Sequence, residues 1–466
     1  MARVAVAGAS GFIGRALCER LSRDHAVYAL SRTAREDEQR VRWRRCDLFS
    51  LLDCERALEG ADVAVYLVHS MAPSARLTQG NFADMDLMLA DNFARAAKRQ
   101  GVRQIIYLGG LVPETRPLSP HLASRLEVEA ALAAHGVPVT ALRAGMVVGR
   151  DGPSFRILRR LVTRLPLLVC PAWTNTETRP IALDDAVTLL AAVVDAPERF
   201  GETFDIGGPQ VTTYKALLRD MARVLGRPRL MIPVPLFCPG LSRLWVSLVT
   251  GTSRDLAAPL IESLRHPMLT RDRRLQEQLG LDGQHFAAAA SMAIRSPAAE
   301  PLPPALPAPR QYSNTVRSVQ RLPNPRELSG AELTRAYLEW LPRALWPFMQ
   351  VRADEQGCAF HLWPLKRPLL VLRHAPDRSS ADRDLLYVVG GLLARTGGGR
   401  RGRLEFRAAT SVEPAAALAA IHDFVPALPW FVYRFTQAVV HLLVMWAFGR
   451  HLGASSKPTP DSVKIA

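Results

Sequence analysis

Val4-Ala5-Val6-Ala7-Gly8-Ala9-Ser10-Gly11-Phe12-Ile13-Gly14 is the stretch whose reading decides the architecture. Four small apolar residues read as a buried strand, and Ala16, Leu17 and Leu21 continue after the glycines at helical spacing. A strand, a glycine turn and a helix in that order leave the helix N-terminus open, with its N–H groups and positive end turned outward. The glycines serve a tight turn, a close approach of backbone to a pyrophosphate, and close packing of helix on strand. Gly8, Ser10, Gly11, Phe12, Ile13 and Gly14 are therefore expected to cradle a dinucleotide.

Working outward, short β-branched runs alternate with helical periods through the first 230 residues, the pattern of βαβ units and a parallel sheet. Strands are expected over 4–7, 26–31, 41–46, 63–68, 104–108, 139–143 and 202–206, giving a doubly wound α/β Rossmann domain. A helical substrate-side lobe is expected over 241–279, with Leu244, Leu248, Leu256, Leu260 and Leu264 on helical spacing. The Pro-rich run SPAAEPLPPALPAP begins at Ser296; it is read as an extended linker, over 296–312, unable to pair into a sheet. The first domain thus takes 1–295, a smaller α+β domain 313–452, and a disordered tail 453–466.

The smaller domain shows strand-like runs over 368–373, 385–391 and 404–408 and then one long helix. Its apolar run 431–448 raises the question of a span, for which about 18–20 apolar residues suffice. Arg434, Gln437 and His441, at spacings of three and four, put a polar stripe on one face, as expected for a helix packed against a sheet. No transmembrane span is expected; peripheral membrane contact through Trp430, Phe431 and Trp446 is the intermediate option.

The chain has 466 residues, 48% hydrophobic and 22% charged, which excludes a disordered or collagen-like protein and calls for more than one core. Its net charge of +16 comes from 59 basic residues of which five are Lys. The arginines are spread over nearly every segment with no nucleic-acid reader motif, and the one tight basic cluster, Gly397 to Arg403, reads as a solvated turn, so no nucleic-acid partner is expected. Six scattered cysteines form no CxxC pair and no metal-ligand spacing, so no metal is expected. No hydrophobic signal region follows Met1, and the expected location is cytoplasmic.

The spacing GxxGxxG resembles the short-chain dehydrogenase/reductase superfamily, in its extended and atypical branches. At the end of the second strand no ribose-binding carboxylate follows; Ser31 and Arg32 stand there, with Arg35 near, a set suited to a 2′-phosphate. NADP is the expected cofactor, with NAD as the alternative. The resemblance implies that Asp47, followed by Leu48, meets the adenine, and that Val68, His69 and Ser70 pass beside the nicotinamide ribose. It also implies a catalytic Tyr four residues before a Lys. Here His121 holds the Tyr place and Arg125 the Lys place, and no Tyr lies between Tyr107 and Tyr214 and no Lys between Lys98 and Lys215. His121 is able to serve as a general acid near neutral pH, whereas the Arg125 guanidinium stays charged and relays no proton.

Successive segments, among them YLVHSM, HLASRLEVEAAL, VTALRAGMVVG and TRPIALDDAV, resemble atypical NAD(P)-binding proteins of the NmrA-like kind over about residues 1–295. The resemblance extends to a bacterial subfamily with a second domain similar to the helix-grip fold of START and polyketide-cyclase proteins. It implies an apolar cavity there, with Trp340, Trp346, Phe348, Phe360, Trp363, Phe406 and Trp430 as candidate lining; a plain core accounts for the same residues equally well. In the first domain Arg143 is expected to anchor a loop, Asp184 and Asp185 to shape a turn, and Glu127 and Glu129 to be solvated. Two functions stay open at this point: an NADP(H)-dependent reductase acting on a small apolar carbonyl or quinone-like acceptor, and a non-catalytic NADP(H)-binding sensor or assembly factor whose C-terminal domain binds a lipid or a partner.

Overall fold

The structure, a computed structural model, describes residues 1–38, 40–69, 76–234, 262–297, 299, 301–306, 315–397, 402–409 and 411–454. Ser70, residues 241–261 of the expected lobe, Cys238, 398–401 of the basic cluster and 455–466 of the expected tail lie outside them. The chain divides into two compact units, one of Met1–Met71 with Leu89–Ala308 and the other of Ala72–Met88 with Pro309–Ala466.

The first unit is built on a seven-stranded sheet of β1 (Arg3–Ala7), β2 (Ala26–Ser31), β3 (Val41–Arg45), β4 (Val63–Tyr66), β5 (Gln104–Gly110), β6 (Val139–Ala144) and β7 (Thr203–Ile206). Every neighbouring pair is parallel, in the order β7-β6-β5-β4-β1-β2-β3. This is the expected doubly wound sheet, and its order reverses between β1 and β4, where such sheets open a crevice beyond their carboxyl ends. Val4, Ala5 and Val6 are wholly buried, as a strand covered on both faces requires. Helix α1 (Phe12–Leu21) packs against β1 and against α6 (Leu183–Ala192), where its buried Leu17 and Leu21 join Ala186, Leu189 and Leu190 in one core. Helix α4 (Pro120–Ala133) covers β5 and β6.

Two expectations for this unit change. The Pro-rich run does pair locally: Leu306 donates from its backbone to Ala34 at 2.8 Å, and Glu36 donates to Pro304 at 3.3 Å. Ala305 bridges Arg35, because Ala305 and Leu306 keep the N–H groups that the flanking prolines lack. Glu129, expected to be solvated, is held in a bidentate ion pair by Arg143 at 2.7 and 3.0 Å, which ties α4 to β6.

The second unit is an antiparallel sheet of β8 (Val316–Pro323), β9 (Met349–Asp354), β10 (Gly357–Leu362), β11 (Leu370–His374), β12 (Arg383–Gly390), β13 (Arg403–Ala409) and β14 (Ala416–Phe424), in the order β9-β10-β11-β12-β13-β14-β8. A short strand, Leu77–Gln79, adds to β8 in parallel. Helix α8 (Gly330–Ala344) starts at a capping box in which Ser329 and Glu332 exchange hydrogen bonds. It shares a core with the sheet and with the final helix, where Tyr337, Phe406 and Phe448 meet edge to face and tilted.

The expected single helix over 431–448 is two, α9 (Trp430–Phe435) and α10 (Gln437–Ala454), with Thr436 outside helical geometry between them; Gly453 and Ala454, assigned to a tail, close α10. The expected polar stripe is split. Arg434 is exposed, but His441 meets the Ser318 hydroxyl at 3.2 Å and Gln437 lines a cavity, while apolar Phe435, Val439, Val440, Leu443 and Trp446 are exposed. Ser318 on β8 supplies a buried polar partner, so the imidazole is placed inward without stranding a hydrogen bond.

Candidate functional site

Gly8 has φ of +87°, and a Cβ there would come within 3.2 Å of the Leu67 backbone at the end of β4. A Cβ on Gly14 would stand 2.1 Å from the Gly8 carbonyl oxygen, so only glycine lets α1 start this close to the turn. Gly11 donates its N–H to that same carbonyl at 2.9 Å. Gly11 caps α1 without any side-chain hydrogen bond, and no acidic residue stands in the first turn. The result is a concave, electropositive helix start with Ser10 and Gly11 exposed and Phe12 and Ile13 half-buried, which fits a pyrophosphate.

The sequence reading missed what lies beneath Phe12. A Cβ on Gly149 would fall 2.6 Å from the Phe12 ring and one on Gly152 3.1 Å from it, so these glycines let the ring wedge under the loop that follows β6. The signal available was the pair Gly149-Arg150-Asp151-Gly152 ahead of α5 (Pro153–Arg164).

At the end of β2, Ser31 is buried and its hydroxyl accepts from the Thr33 N–H at 3.3 Å; Arg32 is exposed beside it. Arg35 is not available as an assistant. Its guanidinium donates to the Pro303 carbonyl at 2.7 Å and lies over the Trp43 ring, so the 303–306 strand of chain holds it. Asp47 is buried and accepts from the Phe49 N–H at 3.2 Å, and the Leu48 carbonyl receives the Asn92 side-chain amide at 2.9 Å, which fixes the loop after β3.

His69, just past β4 and Val68, and His121, in the first turn of α4, come together across 52 residues of sequence. Their rings stack at 5.0 Å and His69 Nε2 lies 3.2 Å from His121 Nδ1. Read along the chain, each histidine has a separate role; only the sheet places both at the carboxyl ends of its strands. Arg125, one turn on, donates to the Leu108 carbonyl at the end of β5, and its guanidinium lies 5.2 Å from the Tyr107 ring centre. Ser119 is buried, capping α4 and meeting the Ser263 hydroxyl at 3.0 Å, and Ser124 is buried on the same helix. His266 packs behind this loop against Thr115 at 2.8 Å; burial, then Arg265 and Arg116, hold its pKa below the ordinary value, which keeps it neutral at pH 7. Asp185 accepts from the Gln284 N–H at 2.7 Å and is part of a turn.

With this geometry in view, comparison with known proteins gives a consistent class. Residues 4–207 match the NAD dependent epimerase/dehydratase family. Among curated relatives, the auxiliary protein GraX of Staphylococcus aureus is 33% identical over 111 residues, 23% of this chain and 36% of GraX, so the chain spans about a third of that relative. YtcB of Bacillus subtilis, an uncharacterized UDP-glucose epimerase, is 24% identical over 48% of this chain and 83% of its own length. Among solved structures, the NADPH-dependent quinone oxidoreductase QOR2 of Escherichia coli, complexed with NADPH, superposes with a TM-score of 0.50 at 18% identity, covering 63% of this chain and all of its own. A nucleoside-diphosphate-sugar epimerase of Staphylococcus aureus gives 0.51 at 17% identity, over 62% of this chain and all of its own. At these identities the structures establish the shared fold.

Proposed function

We propose that the first unit binds NADP(H) and reduces an apolar carbonyl or quinone-like acceptor. The observation that carries this reading is the stacked His69–His121 pair at the carboxyl ends of the sheet, where the superfamily resemblance places a catalytic tyrosine. A reduced nicotinamide, when bound, supplies a hydride. The chain's own part is to hold the pyrophosphate at Gly8, Gly11 and the start of α1, to meet a 2′-phosphate with Ser31 and Arg32, and to hold a proton at His121. Because the two rings share a hydrogen bond, charge that arises when His121 gives up or takes a proton is spread over the pair. Arg125 contributes fixed positive charge and N–H donors, with its orientation set by the Leu108 carbonyl. The nearer likeness to NmrA-like proteins and the helix-grip reading of the second unit belong to the same proposal, the latter supported by the long α10 lying across β8.

A second reading, an NADP(H)-binding sensor or assembly factor without turnover, is favoured by Arg125 itself, since a guanidinium relays no proton. The purified chain mixed with NADPH and a panel of hydrophobic quinones and carbonyls separates the two. The reductase reading expects NADPH oxidation that falls about 100-fold in His121→Ala with cofactor binding retained. Tight NADPH binding with no oxidation across the panel supports the sensor.

A further inference from the structure

The second unit carries an apolar surface that its own core does not use. Along α9 and α10, Phe431, Phe435, Val439, Leu443 and Trp446 succeed one another at spacings of three and four; Phe435 is 73% exposed and Trp446 62%. The opposite side of α10 does the packing, through Ala438, Met445 and Phe448. By length and composition alone Trp430–Ala454 passes for a membrane helix, and less than a quarter of its most apolar window is buried. A second exposed group lies in the same unit: Trp346 (75%), Phe348, Trp363 (68%) and Leu365, joined where the Trp363 N–H donates to the Phe348 carbonyl at 2.8 Å.

An internal cavity of about 200 Å³ links the two groups. Leu345 and Met349, flanking Trp346 and Phe348, line it on one side; Val440 and Val444 line it on the other, and Val440 is itself exposed. The apolar lining therefore runs out to the surface between the two aromatic groups. Inside, the cavity is mostly apolar, with Gln79, Ser318, Arg403, Gln437 and His441 as its polar members beside Tyr337 and Tyr433, and the Oε1 atoms of Gln79 and Gln437 are buried without a hydrogen-bond partner.

The segments that bear this surface are basic, with acidic residues only at their flanks, among them Glu339, Asp354, Glu355 and Asp377. The three segments that bear it, residues 340–353, 357–376 and 424–454, contain no Asp or Glu. They contain Arg343, Arg352, Lys366, Arg367, Arg434 and Arg450, all exposed, and the Arg450 guanidinium lies over the Trp446 ring. Aromatic side chains interleaved with long basic ones are what an interface between hydrocarbon and anionic headgroups selects, because the rings enter the acyl boundary while the cations reach the phosphates. A second copy of the chain would bring the same cations face to face, so charge complementarity selects a lipid surface over self-association.

We propose that the second unit docks on an anionic lipid bilayer through this surface, with the outer faces of α9 and α10 lying in the interface plane and the cavity opening toward the acyl chains. The docking is independent of the first unit's chemistry. Flotation of the full chain with phosphatidylcholine vesicles, with and without about a quarter phosphatidylglycerol, tests it. The chain is expected to rise with the anionic vesicles at low salt and to be released by high salt. Phe435→Asp with Trp446→Asp, and separately Lys366→Glu with Arg367→Glu, are expected to lower the bound fraction roughly tenfold with the thermal midpoint unchanged. No flotation with anionic vesicles at low salt overturns the proposal, as does undiminished flotation of both variants. Resistance of the bound chain to alkaline carbonate extraction overturns it in favour of a span. A dimer that Trp446→Asp dissociates, with no vesicle binding, overturns it in favour of a second copy.

Discussion

Arg32 and Arg35 look equivalent in the sequence, three residues apart after the same strand, and the structure separates them. Arg35 is spent on the Pro303 carbonyl and the Trp43 ring, while Arg32 is exposed at the end of β2. Replacing Arg32 by Glu removes a charge-assisted donor and adds a repulsive charge, so NADPH affinity should fall by about 2 kcal/mol or more, roughly 30-fold, with NADH affinity nearly unchanged. Equal losses for both cofactors, measured by fluorescence titration, contradict the 2′-phosphate role. Gly11→Val should abolish binding of both, because its Cβ would already stand 3.1 Å from the Gly8 carbonyl oxygen and would project at the helix start. The phosphate glycines were legible from the sequence because backbone geometry dictates them locally. The His69–His121 pair was not, since it depends on two loops that only the sheet brings together.

His441 illustrates a residue whose role needs its element. Burial pushes its imidazole down to about 4 from an ordinary 6.5. The unfolded chain then takes up a proton that the folded chain refuses, so the stabilisation is full above pH 6.5 and is lost as pH falls toward 4, about 3 kcal/mol across that window. His441→Gln keeps a polar group for Ser318 and removes the titration. Urea melts at pH 7 and pH 4.5 should show the variant losing less stability than the native chain on acidification; equal losses would place the imidazole in water.

Among the elements, the seven strands of the first unit's main sheet were read within a residue or two, most of them because parallel strands buried on both faces are continuous apolar runs, whereas its short outlying pairs, such as 167–171 with 230–234, were not read. The last helix was found but its faces were misassigned at Gln437 and His441. Polar residues on an otherwise apolar helix were taken as its solvent side, and the partner that draws them inward, Ser318, lies 123 residues away. The strand Leu77–Gln79 gave no signal, being three residues long with its pairing partner some 240 residues on. Behind β12–β14 sits a buried charge cluster that composition also hides. Burial would raise the Glu405 carboxyl, but the Arg383 and Arg407 guanidiniums outweigh it and hold the group well below the usual carboxylate range, with His422 3.2 Å away. Glu405→Gln leaves two buried guanidiniums undercompensated and should cost about 3–5 kcal/mol by denaturant unfolding; a loss under about 1 kcal/mol would mean that water reaches the cluster.

At the scale of the whole molecule, the two units divide the work as their sequences do. The first is a Rossmann domain whose site is set by glycines and strand ends. The second is a mixed sheet and helix domain whose chemistry lies in a cavity and an apolar basic surface. An NADP(H) site in the first unit is open to calorimetric titration of the full chain with NADPH and then NADH. Saturable one-to-one binding of NADPH is expected, with weaker binding of NADH and no heat from either with Gly11→Val. Absence of NADPH binding to the native chain, or binding that survives in Gly11→Val, would contradict it.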